Sequence, residues 1–140
     1  MRLIIPAVLS MGVMVPPALA EGADRHQAEA LVTEAADVLR GSGLDPLVHN
    51  INHAGGRFAS KDATKPQLFL YDLKGKVLAF AGDARHIGMQ HGKAMAGLLE
   101  YAKSTKKGWY EPVVPAGGVK MAIYFEKVGE VLITTTLHVH

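Results

Sequence analysis

The chain has 140 residues, of which 49% are hydrophobic and 20% are charged, and it contains no cysteine. This composition excludes a disordered or collagen-like chain, a disulfide-stabilised scaffold and any site that needs a thiolate. The formal net charge of +2 at pH 7 is too balanced for a nucleic-acid-binding protein, which would concentrate lysine and arginine on one face. The length suits one domain.

Residues 1–20 have the three parts of a signal peptide. A positive start is followed by a short apolar run over 3–15 and by small residues at Ala18 and Ala20, before the chain turns polar. The run is shorter than the roughly 20 residues that a spanning helix needs, and prolines would disrupt such a helix. We therefore expect cleavage after Ala20, periplasmic localisation and a single domain over 21–140.

Apolar spacing predicts three helices in this domain. From Asp24 to Arg40 apolar residues recur at helical intervals, and Gly41-Ser42-Gly43 provides a stop. Asp45 is the expected N-cap of a short second helix that runs through Ile51, with a proline at its first position. A third amphipathic helix is predicted between Gln90 and Lys103.

Five β-prone runs predict an antiparallel sheet. The first two are joined by Asp72-Leu73-Lys74-Gly75, which suits a hairpin turn, and the last two by Gly129-Glu130. The predicted strands are 68–71, 77–80, 109–113, 119–127 and 131–139. The expected fold class is α+β: a long N-terminal helix followed by a five-stranded antiparallel sheet, with the helices on one side.

Seven histidines make a metal site the first hypothesis to test, since imidazole is a common metal ligand. His49 and His53 are four residues apart on the predicted second helix, but no HExxH motif surrounds them. His86 and His91 lie in the loop before the third helix, where they could bind a metal or haem together with a residue such as Met89. The other three histidines are His26, His138 and His140.

Motifs for catalysis are missing from the sequence. No serine lies in Gly-x-Ser-x-Gly or Ser-x-x-Lys, and Gly55-Gly56 is followed by Arg57 without the lysine and hydroxyl residue of a phosphate-binding loop. We therefore expect a protein that is not an enzyme and that carries no cofactor. Aromatic residues on the strands, by contrast, are typical linings of small-molecule pockets.

From about Phe58 onward the chain resembles the single Cache domains, extracytoplasmic sensor modules of bacterial chemoreceptors and histidine kinases. The resemblance rests on an ordered series of short motifs. These are LFLYDLKGKVLA over 68–79, Gly88, Gly92-Lys93, Gly108-Trp109, Lys120 and YFEKVG over 124–129.

The resemblance implies a PAS-like or profilin-like fold that binds a small organic molecule, in this family often a carboxylate. Lys120, or a protonated His86 or His91, would pair with an anionic group of the ligand. The domain would then act as a sensory module that serves a membrane-bound sensor kinase or chemoreceptor. By this analogy the ligand-binding residues are Phe69, Tyr71, Phe80, His86, His91, Trp109, Tyr110, Lys120 and Tyr124.

Two further hypotheses stay open beside this one. The first is a histidine-based metal- or haem-binding periplasmic protein. The second is a structural interaction subunit, whose sheet edge or N-terminal helix would mediate homodimerisation or contact with a sensor kinase. The sequence also departs from the family at three places: Phe80-Ala81 replaces a His-Pro pair, His91 stands near a usual aspartate, and Lys120 is four residues before Tyr124 where three is usual.

Overall fold

The computed structural model describes most of the chain that follows the predicted leader. The described ranges are 17–53, 55–60, 65–81, 84–92, 95–111 and 120–139, without the side chains of 17–23, 120, 138 and 139.

Helix α1 spans Pro17–Ser42, so it is longer than predicted and begins before the expected cleavage point after Ala20. Ala28, Val32, Ala35 and Ala36 are fully buried, and their spacing gives the helix one apolar stripe. The helix ends at a glycine, because Gly43 adopts a φ of 93° that other residues rarely take and donates its N–H to the carbonyl of Leu39.

Helix α2 spans Leu44–Asn52 and starts two residues earlier than predicted. Gly43 takes the N-cap position and Asp45 lies inside the first turn, so the expected cap at Asp45 is wrong. The predicted helix itself is present, and Leu47 and Ile51, four residues apart, are buried against α1 and the sheet.

The sheet has five antiparallel strands in the order β2-β1-β5-β4-β3, as predicted for their number and direction. The Asp72 carboxylate accepts hydrogen bonds of 2.9 Å from the N–H groups of Lys74 and Lys76, which fixes the predicted hairpin turn between β1 and β2. The strands are β1 (Leu68–Asp72), β2 (Val77–Phe80), β3 (Lys107–Tyr110), β4 (Lys120–Val128) and β5 (Val131–Val139).

Helix α3 spans Ala96–Ser104 and begins later than predicted, because the residues before it pair with the edge of β2. Strand β3 begins two residues before the predicted start at Trp109, and the last residues predicted for it lie outside the described residues. A 3₁₀ turn at Ala84–His86 opens the segment between β2 and α3.

The two faces of the sheet carry separate apolar cores. Leu68, Leu70 and Ile133 point toward α1 and α2, a side that we call the α1 face. Tyr71 and Leu132, neighbours of these residues in the strands, point toward α3 on the other side, the α3 face. The α+β fold is therefore confirmed, while the helices divide between the faces: α1 and α2 share one side as predicted, and the short α3 covers the other.

Candidate ligand-binding site on the α3 face

Three aromatic rings of the hairpin form a continuous apolar surface on the α3 face. Phe69 and Phe80, which pair across β1 and β2, stack with ring centroids 3.8 Å apart and an angle of 8° between the rings. Tyr71 follows on the same strand with its ring 5.3 Å from that of Phe69. The period-2 alternation of β1 puts these two β1 rings on one side, so the sequence pattern alone is enough to group them.

The segment 84–92 is fastened along the outer edge of β2. The N–H of Gly88 donates to the carbonyl of Val77 at 2.8 Å, and the N–H of Val77 donates to the carbonyl of Met89 at 2.9 Å. The N–H of His91 donates to the carbonyl of Gly75 at 2.8 Å. These backbone bonds place the segment beside the three rings and fix its register against the strand.

Two glycines allow the close approach of this segment to the hairpin. Gly75 has a φ of 88°, and a Cβ built on it would lie only 2.7 Å from the Cα of Gly92. Real Cβ atoms do not approach backbone atoms so closely, so a side chain at this position would push the segment away. Glycine at 75 therefore serves both the turn and the contact.

Two histidines of the segment reach the aromatic rings. The His86 ring lies edge-on to that of Phe80, with centroids 5.4 Å apart, and the His91 ring is 5.9 Å from that of Tyr71. The two imidazoles themselves are 5.7 Å apart. Phe69, Tyr71, Phe80, His86 and His91, named here the aromatic–histidine cluster, therefore bring together five of the nine residues predicted to bind a ligand.

The cluster contains a buried nitrogen that lacks a partner. His86 Nδ1 is enclosed and makes no hydrogen bond to the described residues. Leaving such an atom unpaired costs about 1–3 kcal/mol, so it is a favourable place for a hydrogen-bonding group of a ligand. Tyr71 adds a phenol that is neutral at physiological pH and can donate a hydrogen bond, and burial raises its pKa to about 12.

Tyr110 shares the α3 face but lies beside the helix. Its partner across β3 and β4 is Ile123, and its ring is 5.8 Å from that of Tyr101 on α3. The hydroxyl oxygen touches the helix at Gly97, where an added Cβ would lie 2.0 Å from it. Tyr110 thus packs where α3 crosses the sheet.

Trp109 and Tyr124 lie on the opposite side of the sheet, on the α1 face. They pair across β3 and β4 with ring centroids 5.2 Å apart. The indole Nε1 of Trp109 donates to Glu29 on α1 at 2.7 Å, and the guanidinium of Arg25 lies 4.6 Å from the centre of the indole. The structure therefore does not bring these two predicted residues into one pocket with the aromatic–histidine cluster.

The last predicted residue, Lys120, is only partly described. Its backbone opens β4 opposite Val139, whereas its side chain lies outside the described residues. The expectation that it contacts a ligand stays a prediction.

A row of ion pairs on the α1 face was missed by the sequence reasoning. Arg40 of α1 binds Glu126, a carboxylate with only 7% of its side chain exposed, and Arg25 binds Glu111 at 2.8 Å. The pKa of Tyr124 is raised mainly by burial and, to a smaller extent, by the negative charges of Glu29 and Glu126. Glu126 shares its face of β4 with Tyr124 and Val128, and a carboxylate between these two was the signal in the sequence that a partner should face it.

Two pairs of histidines lie close together in the described part of the chain: His86 with His91 in the cluster, and His49 with His53. His49 of α2 stacks on His53 at the C-cap of the helix, with ring centroids 4.0 Å apart, as their spacing predicts. Within the ranges that the structure describes, no three His, Asp or Glu side chains gather closely enough to hold a metal ion.

The fold is similar to solved structures of sensor domains. A Cache chemosensory domain described as recognising carboxylic acids superposes with a TM-score of 0.63 at 12% identity, over 91% of this chain and 100% of that one. A methyl-accepting chemotaxis protein from Vibrio parahaemolyticus gives 0.59 at 13% identity, over 87% and 93%. This chain has the fold of a single Cache domain. The periplasmic sensor domain of a chemotaxis protein also superposes on this chain, with a TM-score of 0.54 at 11% identity, over 89% of this chain and 95% of that one.

The Cache resemblance in the sequence is thus confirmed at the level of the fold. No protein-family model matches this chain, and no curated protein matches it in sequence. Among its described helices, none is long and apolar enough to cross a membrane.

Proposed function

We propose that this Cache domain is a sensory module that binds a small organic molecule at the aromatic–histidine cluster. The observation that carries the proposal is the cluster itself: three rings of the hairpin are faced by two imidazoles of a segment fastened to the β2 edge. Apolar walls with a few polar groups are the usual composition of small-molecule sites. The solved structures with a similar fold include a methyl-accepting chemotaxis protein and the periplasmic sensor domain of a chemotaxis protein, which supports the sensory assignment.

The polar groups of the cluster indicate the chemistry of the ligand. His86 has a buried nitrogen to which none of the described residues hydrogen-bonds, and the neutral phenol of Tyr71 supplies a donor. One of the similar Cache domains is described as recognising carboxylic acids, so small carboxylates are the first class to test here. A carboxylate would accept hydrogen bonds from these groups.

The test is a thermal unfolding experiment on the purified chain with a panel of small carboxylates, amino acids and amines. A true ligand at a hundredfold excess over its Kd should stabilise the fold by about 2.7 kcal/mol and raise the Tm accordingly. No shift with any compound of the panel would contradict a small-molecule site and favour an interaction subunit.

The position of the site is tested with matched histidine variants. His86→Ala and His91→Ala should each reduce the ligand-induced rise in Tm, because both imidazoles face the three rings. His49→Ala, an exposed histidine on α2, is the control and should leave the rise unchanged. A rise that survives both cluster variants would place the ligand elsewhere.

We propose further that the domain is exported and serves a membrane-bound sensor kinase or chemoreceptor. The leader predicted over 1–20 supports export, and intact mass measurement of the secreted chain should give an N-terminus at Glu21. An uncleaved N-terminus would contradict the predicted processing. Crosslinking in cells that produce the domain would identify a membrane-bound partner.

A further inference from the structure

A shallow apolar groove lies at the end of the sheet where β1 and β4 finish. It has a volume of about 100 Å³ and is lined by Leu73, Leu99, Ala102, Lys103 and Lys127. Leu73 stands in the hairpin turn and keeps 41% of its surface exposed, although it is a large aliphatic residue. The groove is separate from the aromatic–histidine cluster, since none of its lining residues belongs to that cluster.

Lysines surround this groove. Lys103 and Lys127 line it directly, and Lys74 follows Leu73 in the turn. Lys106 lies beside Lys127, because the carbonyl of Lys106 accepts a hydrogen bond of 2.7 Å from the N–H of Lys127. Three of these four lysines are exposed, and Lys127 is half-buried.

Carboxylates are fewer than lysines around the groove. The Asp72 carboxylate is occupied by the hairpin turn, where it accepts two backbone N–H groups. Glu100 pairs with Lys103 at 3.0 Å, and Glu130 is exposed in the turn between β4 and β5. Among the described residues, four lysines and three carboxylates therefore surround the apolar recess, and two of the carboxylates are already engaged by the turn and by Lys103.

We infer that this groove docks an acidic segment of a protein partner, with one aliphatic side chain of the segment seated in the recess. The lysines set the sign of the partner, since a surface of one charge favours the opposite charge on the other side. The concave shape favours an inserted side chain over a flat membrane surface. The inference does not depend on ligand binding at the aromatic–histidine cluster.

The test measures binding of a fluorescein-labelled peptide of glutamates around one central leucine to the purified chain, by fluorescence anisotropy. We expect saturable binding that weakens as salt is raised. Replacing the central leucine by glutamine, or the glutamates by lysine, should weaken it further. Absence of binding by the acidic peptide at millimolar protein would overturn the inference.

Two pairs of variants locate the contact. Lys103→Glu/Lys127→Glu should weaken peptide binding by about tenfold through charge repulsion, whereas Lys65→Glu/Lys76→Glu, which makes the same change on exposed lysines outside the groove, should leave it nearly unchanged. Leu73→Ala should weaken binding, and Ile87→Ala, also exposed but outside the groove, should not. Equal losses within either pair would overturn the assigned surface.

A membrane is the competing occupant of a basic surface with an exposed leucine. Cosedimentation with vesicles of phosphatidylglycerol and phosphatidylcholine separates the two partners. Sedimentation that depends on Leu73 and Lys103, without binding of the peptide, would overturn the protein-partner inference in favour of a lipid surface. Peptide binding without sedimentation supports it.

Discussion

The indole N–H of Trp109 donates a 2.7 Å hydrogen bond to the Glu29 carboxylate, and this bond ties β3 to α1 on the face of the sheet that the aromatic–histidine cluster does not use. The guanidinium of Arg25 covers the same indole. Because Trp109 is the only tryptophan of the chain, its fluorescence reports on the contact between the sheet and the long helix.

This contact gives a first prediction. Glu29→Ala should lower the free energy of unfolding by about 1–3 kcal/mol, because it leaves the indole N–H without its acceptor. Glu29→Gln keeps an amide oxygen in place and should recover most of that loss. Urea unfolding followed by Trp109 fluorescence measures both variants. Equal losses would mean that the charge of Glu29, and not its hydrogen bond, stabilises the contact.

A second prediction separates backbone strain from crowding at two glycines. Gly75 and Gly88 have φ values of 88° and 87°, but only Gly75 has a backbone neighbour where a Cβ would stand. Gly88→Ala should cost about 1–2 kcal/mol of stability from its φ alone. Gly75→Ala should cost about 1–3 kcal/mol more, because it also displaces the segment at Gly92. Urea unfolding compares them, and equal costs would contradict the contact.

A third prediction concerns alkaline pH. Burial raises the pKa of Tyr71 from 10.0 to about 12, so the folded state keeps a proton that the unfolded state loses above pH 10. Stability from this group is present in full below pH 10 and falls between pH 10 and 12 by about 1.4 kcal/mol per pH unit. Urea unfolding at pH 9, 10 and 11 should show this fall.

The matching variants identify the group behind the alkaline fall. Tyr71→Phe should reduce the fall of stability with pH. A smaller fall should remain from Tyr124, because burial and two nearby carboxylates raise the pKa of that residue as well. Tyr101→Phe removes a phenol that is 40% exposed and should leave the slope unchanged. A slope that persists in full in Tyr71→Phe would refute the assignment.

A fourth prediction compares two arginines that are each about half exposed. Arg40→Met leaves the buried Glu126 carboxylate without its partner and should cost about 2 kcal/mol. Arg57→Met breaks a pair with the exposed Glu34 and should cost less than about 1 kcal/mol. The double variant Arg40→Met/Glu126→Met should be more stable than Arg40→Met alone, since no buried charge is left. Chemical denaturation of the three variants checks the order.

Local signals predicted the strands and the hairpin well. The turn at Asp72–Gly75 was predictable because an aspartate that caps backbone N–H groups and a glycine with positive φ are both local requirements. The bounds of β5 match the prediction over Val131–Val139, where β-branched residues follow a turn. The start of α3 was not predictable, because Gln90 is taken up by pairing with Lys76, a contact between distant segments.

The candidate site was predictable only in part. Alternation places Trp109 and Tyr110 on opposite faces of β3, which the prediction of a single set of ligand-binding residues did not take into account. The face of the sheet that α1 covers is decided by the packing of α1 on β4 and β5. This packing joins distant parts of the chain, so no local sequence pattern predicts it. The aromatic residues were therefore identified by type, whereas their division between the two faces required the structure.

The segment that carries His86 and His91 also affects how this protein behaves at high concentration. A bare edge strand presents unpaired N–H and C=O groups to which strands of other molecules can add. Here the groups of Val77 that face outward from the hairpin are already bonded to Gly88 and Met89. The segment that shapes the cluster thus shields the start of β2 from edge-to-edge pairing, and variants that loosen it would expose backbone groups to which further copies of the chain could add.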